Sequence, residues 1–422
     1  MGVQTPSPGA RRAALAFIFV VVLIDVMAFG VIIPVLPHLI EDFVGGDISV
    51  ASWWVGTFAV LFAAIQFVFA PIQGALSDRY GRRPVILLSC LGLGLDFVLM
   101  ALAPTLAWLL VGRIVSAITA ASFSTANAYI ADVTSGADRA RGYGMIGAAF
   151  GVGFIAGPLI GGVLGDIDLR LPFWFAAGMA LLNFLYGLFV LPESLPAERR
   201  SPRVDWSHAN PLGSLGLLRA QPQVMGLAVV VLISAFAHYA HPSVFVLYAD
   251  YRYGWGQKEV GYVLAFVGAM AIVVNAWLVG LLVKRMGERR ALILALCFGA
   301  AGFAVTGLAP VGWLFLVGIP IGALWGVAAP ASQSLITRQV DPAMQGRVQG
   351  ALMSLTALAG VVGPAVYAGS FGWAVSPASP IELPGIPYLV ASSMLLLAIA
   401  VAWRHARLPA APASAGDMPA GP

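Results

Sequence analysis

The chain has 422 residues, 60% of them hydrophobic and only 10% charged, with a mean hydropathy of +0.90, against roughly 45–50% apolar and 25% charged in an ordinary soluble domain. That balance excludes a water-soluble enzyme of this size, which would need more polar surface to cover its core, and marks an all-α integral membrane protein. The formal charge of +4 is spread along the edges of apolar runs, which argues against nucleic acid as a partner, and Cys90 and Cys297 both fall inside such runs, so neither a disulfide framework nor a metal cluster is on offer.

Apolar runs of the length that crosses a bilayer, about 20 residues, recur at 13–37, 51–72, 84–104, 106–130, 142–164, 172–191, 223–247, 259–282, 290–309, 312–336, 347–369 and 386–404. The first has arginines ahead of it, as a secretory signal does. It is too long for one, holds Asp25 and leads into further spans, so it reads as a retained helix. The start "MGVQTP" looks like a myristoylation site, but a chain that spans the membrane repeatedly needs no lipid anchor.

Between the second and third runs stands "GALSDRYGRRPVILLS", residues 74–89, a short reversal that carries Asp78, Arg79, Arg82 and Arg83. Gly74 and Gly81 suit close backbone approach, Pro84 suits the first turn of a helix, and the arginines can reach carboxylates or helix C-termini. Basic residues alone would orient a membrane protein; Asp78 serves no such end.

Three ionisable residues fall at membrane depth: Asp25 in the first run, Asp96 in the third and Arg113 in the fourth. Such a group costs roughly 2.5–3.5 kcal/mol on insertion scales and normally faces a partner or a cavity. A carboxyl whose proton affinity depends on burial and on a nearby cation can load and release a proton as the cavity opens, so Asp25 and Asp96 are the candidate proton carriers, with Arg113 their modulator. The second half has no charged residue clearly at that depth and offers His238, His241, Asn275 and Gln333; with Gln66 and Asn127 from the first half, His238, Asn275 and Gln333 are the candidate cavity residues. The glycines of "GVGFIAGPLIGG", residues 151–162, let helices pack closely, and Gly157-Pro158 predicts a bend.

The polar stretch that begins "PESLPAERRSPR" splits the spans six and six. It gives a first bundle over 1–191, a linker over 192–222, a second bundle over 223–407 and a Pro/Ala-rich, disordered tail over 408–422. Of the 23 basic residues, Arg170, Arg252 and Lys258 fall on one side of the membrane and Arg113 inside it, while all the others share the opposite side. By the positive-inside rule both termini and the linker are cytoplasmic. The halves also repeat. Gly74 recurs as Gly280, an offset of 206, and Gly81 as Gly287, Gly112 as Gly318, Arg141 as Arg347 and Gly157-Pro158 as Gly363-Pro364 follow without a gap. An even number of spans per copy puts the copies in the same orientation, as parallel repeats.

Three of these stretches are similar to known signatures. Gly74-x-Leu76-Ser77-Asp78-Arg79-x-Gly81-Arg82-Arg83 resembles the signature loop of the major facilitator superfamily. Gly153, Gly157, Pro158, Gly161 and Gly162 lie in a stretch resembling its fifth-helix antiporter motif, and "LLVGRIVSAITAA" resembles its fourth-helix motif around Arg113, with Ser116-Ala117 where Gln-Gly is more usual. The resemblance implies two six-helix bundles that alternate access, with Asp78 and Arg82 pairing across cytoplasmic helix ends, Asp132 a partner of Arg82, and the set acting as a latch on the outward-facing state.

Within that superfamily, "LIDVMAFGVIIPVLP", "GLGLDFVLMALAP" and "YRYGWGQKEVGYVLA" resemble the tetracycline resistance efflux pumps. This resemblance implies a proton-coupled drug antiporter of the bacterial inner membrane, driven by the proton gradient without a bound cofactor or an obligate protein partner, whose substrate travels as a divalent-metal chelate. Well-studied pumps carry a His in helix eight and an Asp in helix nine, where this chain has Ala271 and Gly299. That departure keeps open an alternative, a broader multidrug or metabolite/proton antiporter. A Walker A pattern is missing, which argues against an ATP-driven pump.

Overall fold

A computed structural model describes residues 8–120, 122–134, 137–202, 222–341 and 344–406. Most of the predicted linker and the predicted tail lie outside these residues. The described chain folds into twelve membrane-spanning helices: α1 (Leu15–Phe43), α2 (Ile48–Tyr80), α3 (Arg82–Leu102), α4 (Leu106–Val133), α5 (Arg141–Ile167), α6 (Leu171–Val190), α7 (Val224–Tyr253), α8 (Gln257–Met286), α9 (Glu288–Leu308), α10 (Gly312–Gln339), α11 (Gln345–Ala374) and α12 (Ile386–His405). Six belong to each half, in parallel repeat.

Local chemistry sets the ends. Asp47 accepts a hydrogen bond from the Val50 amide at 3.0 Å and so caps α2. Gly254, at φ +65°, closes α7 in the left-handed conformation that glycine adopts freely. Gly81 and Gly287 occupy equivalent hinges in the two halves, both at positive φ, +104° and +77°.

The helices depart from the predicted runs where they outgrow the apolar core. α2 continues to Tyr80 and α3 begins at Arg82, so the charged reversal is helical on both sides of Gly81, which alone separates the two helices. α1 is interrupted by a turn over 33–35, beside Pro34, and resumes as Leu36–Phe43. α7 breaks at Tyr239, α8 carries a π-helical turn over Val274–Leu278 and α10 a 3-10 turn over Leu324–Val327. Apolar periodicity does not register such breaks. α5 holds Pro158 inside one continuous helix, so the predicted bend there amounts to no interruption.

Contacts between the halves run along α2 with α11 and α5 with α8. We call the end where α1, α3 and α5 begin the basic end and its opposite the far end. At the far end Ser49 Oγ donates to Gly372 O and Ser52 Oγ to Ala368 O, each at 2.7 Å. A Cβ on Gly162 would lie 3.0 Å from the Gly261 Cα, so two glycines set the α5–α8 approach. Toward the basic end, Gly144 and Gly147 of the first half and Gly280, Gly346 and Gly350 of the second face open space. The described polar and glycine contacts between the halves thus gather at the far end.

Candidate functional site

The basic end of the first half is built around Arg82. Its guanidinium meets Asp78 at 2.6 Å and Asp132, on α4, at 3.1 Å, and donates to Ser77 Oγ at 2.5 Å. Ser194 Oγ also donates to Asp132, at 3.1 Å. Arg83 turns away and donates to the Leu188 carbonyl at the end of α6. Arg79 lies over the Tyr80 ring at 5.2 Å. Among the described residues the partners of the Arg82 side chain belong to α2 and α4 of the first half, so the set expected to act as a latch knits α2, α3 and α4 together. Gly74, expected at a close approach, faces open space.

Two further features complete this end. Glu193, just past α6, accepts the amides of Arg82 at 2.9 Å and Arg83 at 3.3 Å, capping α3 from more than a hundred residues away. Its carboxylate lies where a Cβ on Gly81 would stand, and the φ of +104° there is one that glycine adopts freely and other residues rarely do. The second half repeats the arrangement with inverted charge. The 206 offset carries Asp78, Arg82 and Asp132 onto Lys284, Glu288 and Arg338, and Glu288 pairs with Arg338 at 2.6 Å. The offset alone could have found this pair; Glu193 looked like an ordinary linker acid.

Asp25 is 8% exposed and Asp96 fully buried. Asn183 of α6 donates to Asp25 Oδ1 at 2.9 Å, and the Cys90 thiol of α3 stands 3.7 Å from the same oxygen. Asn183 also reaches the Val21 carbonyl at 2.9 Å, which fixes its amide. Asp96 faces Arg113 at 3.4 Å; Arg113 in turn donates to Ser116 Oγ at 3.4 Å and covers the Phe62 ring at 4.9 Å. Cys90 and Asp96 are six residues apart on α3, about 9 Å along the axis, so one helix borders both acids. Asn183 escaped the sequence reading because one amide in an apolar run announces no partner.

The antiporter glycines divide between two neighbours. Cβ atoms on Gly153 and Gly157 would press on Val26, Met27 and Gly30 of α1, and one on Gly161 on Val31, whereas Gly162 faces α8. Pro158 contributes its carbonyl to the same α8 contact, 2.6 Å from where a Cβ on Gly261 would stand. The motif therefore packs α5 within its own half and, by a second face, against the other half.

Of the candidate cavity residues, Gln66 and Asn127 are half-buried in the first half, and His238, Asn275 and Gln333 are exposed in the second. His238 stands at the α7 break, its ring 6.0 Å from that of Trp325 in the 3-10 turn of α10. Asn275 lies in the π turn of α8 and donates to the Ala271 carbonyl at 2.8 Å. Gly326 borders Asn275, so the irregular turns of α8 and α10 meet. Sequence reading missed Trp325, which explains Gly299: a Cβ there would lie 2.8 Å from the Trp325 ring. An indole fills the room that an acidic side chain in helix nine would take. This face is aromatic where the first half is ionic.

Comparison with known proteins agrees with this architecture. The sequence pattern of the Major Facilitator Superfamily matches residues 18–364. Tetracycline resistance protein, class C, of Escherichia coli is 38% identical over 92% of this chain and 95% of its own length. Class B, also from Escherichia coli, is 35% identical over 83% and 86%, and Multidrug resistance protein 2 of Bacillus subtilis 29% over 83% and 87%. Among solved structures, nucleoside transporter NupG superposes with a TM-score of 0.77 at 11% identity, over 94% of this chain and all of that one. The human organic anion transporter MFSD10 (TETRAN) gives 0.68 at 24%, over 94% and 100%. The chain belongs to the Major Facilitator Superfamily, in the group of the tetracycline resistance proteins.

Proposed function

We propose that the protein is a proton-coupled antiporter that exports tetracycline-type drugs across the bacterial inner membrane by alternating access. The basic end, with both termini, faces the cytoplasm and the far end faces the periplasm, in line with the positive-inside rule. The observation that carries the reading is the pair of buried acids of the first half, each held by a specific partner, in a chain so similar to the tetracycline resistance proteins. Protonating Asp96 removes the charge that Arg113 compensates, and protonating Asp25 alters its bond from Asn183. Either event changes the packing of α3 against α1, α4 and α6. A bias of about 2.7 kcal/mol between two arrangements of the halves is a hundredfold change in their ratio.

The test is drug accumulation in cells expressing the wild type, Asp25→Asn or Asp96→Asn, with and without a protonophore. The wild type lowers tetracycline accumulation, the protonophore abolishes the effect, and both variants insert but fail to export. Export by both variants at the wild-type rate would overturn the assignment of these acids. A second reading, export of a broader set of amphipathic drugs, is favoured by one feature: Trp325 and His238 line the second half where an acid is missing. Stacking surfaces accept many planar molecules. Protonophore-sensitive export of unrelated aromatic drugs, with tetracycline unmoved, would select it.

A further inference from the structure

At the far end a third polar cluster joins the halves. His38 and Glu41 stand one turn apart on Leu36–Phe43, the short helix that resumes α1 after its turn, and so share a face. Asp250 comes from the last turn of α7, in the other half. The His38 ring is 8% exposed, with Nδ1 3.5 Å from Glu41 Oε2 and 4.0 Å from Asp250 Oδ2. One donor atom from each residue lies within 4.8 Å of the other two. The ring directs Nδ1 at both carboxylates beyond ordinary hydrogen-bond length, and its buried Nε2 has no partner. Both carboxylates thus stand at ion-pair rather than hydrogen-bond distance from Nδ1, converging on one buried imidazole nitrogen.

We propose that His38, Glu41 and Asp250 form a binding site for a divalent transition-metal cation that staples the two halves at the far end. Donor atoms about 2.1 Å from a zinc ion stand about 3.4 Å apart in a tetrahedral site. The His38–Glu41 pair already has that spacing, and Asp250 must draw in by about half an ångström toward His38 and close on the Glu41 carboxylate, from which it is separated by no more than 4.8 Å. One imidazole and two carboxylates, completed by water, suit zinc and its neighbours, whereas magnesium prefers oxygen donors and keeps its own waters. Because Asp250 arrives only when the far end is closed, the cation binds that state in preference to any other and shifts the population toward it. The site lies away from the buried acids of the first half, and the metal is bound as the free ion rather than with a drug.

The test is calorimetric titration of the purified protein in lipid nanodiscs, freed of metal by a chelator, with zinc chloride and in parallel with magnesium chloride, no drug being present. The wild type takes up one zinc per chain and magnesium produces no comparable heat. Binding weakens at least about tenfold in His38→Ala, since even partners of metal ligands contribute ten- to hundredfold. Asp250→Asn, isosteric and partly exposed, carries the test if the histidine variant fails to fold. It binds at least about tenfold more weakly, and zinc no longer raises its unfolding temperature as it does that of the wild type. Absence of saturable zinc binding, or zinc binding by the folded Asp250→Asn variant as tight as that of the wild type, would overturn the site whatever the protein transports.

Discussion

The inverted charge set of the second half makes the role of Arg82 testable by transplantation. Arg82→Ala removes the arm to Asp78, which is 52% exposed and so contributes about 0.2–1 kcal/mol. It also strips Asp132, 20% exposed, of its cation. Breaking a fully buried pair costs about 3–5 kcal/mol, but Asp132 keeps the Ser194 hydroxyl, so about 2 kcal/mol is the fair figure here. The sum, about 2–3 kcal/mol, is a change of roughly thirtyfold to 160-fold in the equilibrium it biases. Arg83→Ala forfeits one bond to a carbonyl and loses about 1 kcal/mol. Arg82→Glu is worse than either, because it adds a third carboxylate to the cluster. The triple change Asp78→Lys, Arg82→Glu, Asp132→Arg installs the residue types found at Lys284, Glu288 and Arg338 and recovers all but about 1 kcal/mol, the residue being repulsion from Glu193. Unfolding midpoints of the purified variants and drug accumulation in cells give the two readouts. A triple variant no better than Arg82→Glu, or Arg83→Ala as damaging as Arg82→Ala, would refute the reasoning.

Two further outcomes follow from the geometry. Arg113→Leu leaves Asp96 fully buried without its cation and destabilises the first half by about 3–5 kcal/mol; adding Asp96→Asn restores most of the unfolding midpoint without restoring export, and a double variant as unstable as the single would show the pair to be energetically idle. Gly162→Leu drives a side chain into the Gln257–Gly261 stretch of α8, an overpacking of about 1–3 kcal/mol that wedges the far end open. Ser52→Cys, buried in the closed arrangement, then reacts faster with a membrane-impermeant maleimide in the Gly162→Leu background, and an unchanged rate would count against the glycine seam as a closure surface.

The span count, the division into halves and the repeat were legible because each rests on a property summed over twenty residues or more. Helix ends and breaks were not. α2 carries its charges beyond the apolar core because an intrahelical ladder needs no apolar residues, and α7 breaks at Tyr239, whose ring packs on Gly360 and Gly363 of α11, a contact that only the fold creates. The membrane charges were legible one by one, since an ionisable residue in an apolar run is conspicuous. Their partners were legible only when they too were charged: Arg113 and Asp132 stood out, while Asn183, Cys90 and Ser194 did not.

The same distinction explains why, among the described residues, the first half recruits an acid from beyond its helices and the second does not. Inverting every charge of a cluster leaves its internal Coulomb energy unchanged, but the helix it sits on is not symmetric. The N-terminus of a helix carries partial positive charge and unsatisfied amides, so an acid there is stabilising and a cation is not. Glu288 opens α9 and supplies the anion itself, beside Gly287. Arg82 opens α3 with a cation in the unfavourable place, beside Gly81. Glu193 corrects this: it brings a carboxylate to the first two amides of α3 and approaches Arg200 at 3.8 Å, tying the start of the linker to the basic end. The first half thus keeps an arginine as the hub of its cluster at the expense of depending on the linker for a helix cap, and movement of that linker reaches α3 directly through Glu193 and, by way of Asp132, through Ser194.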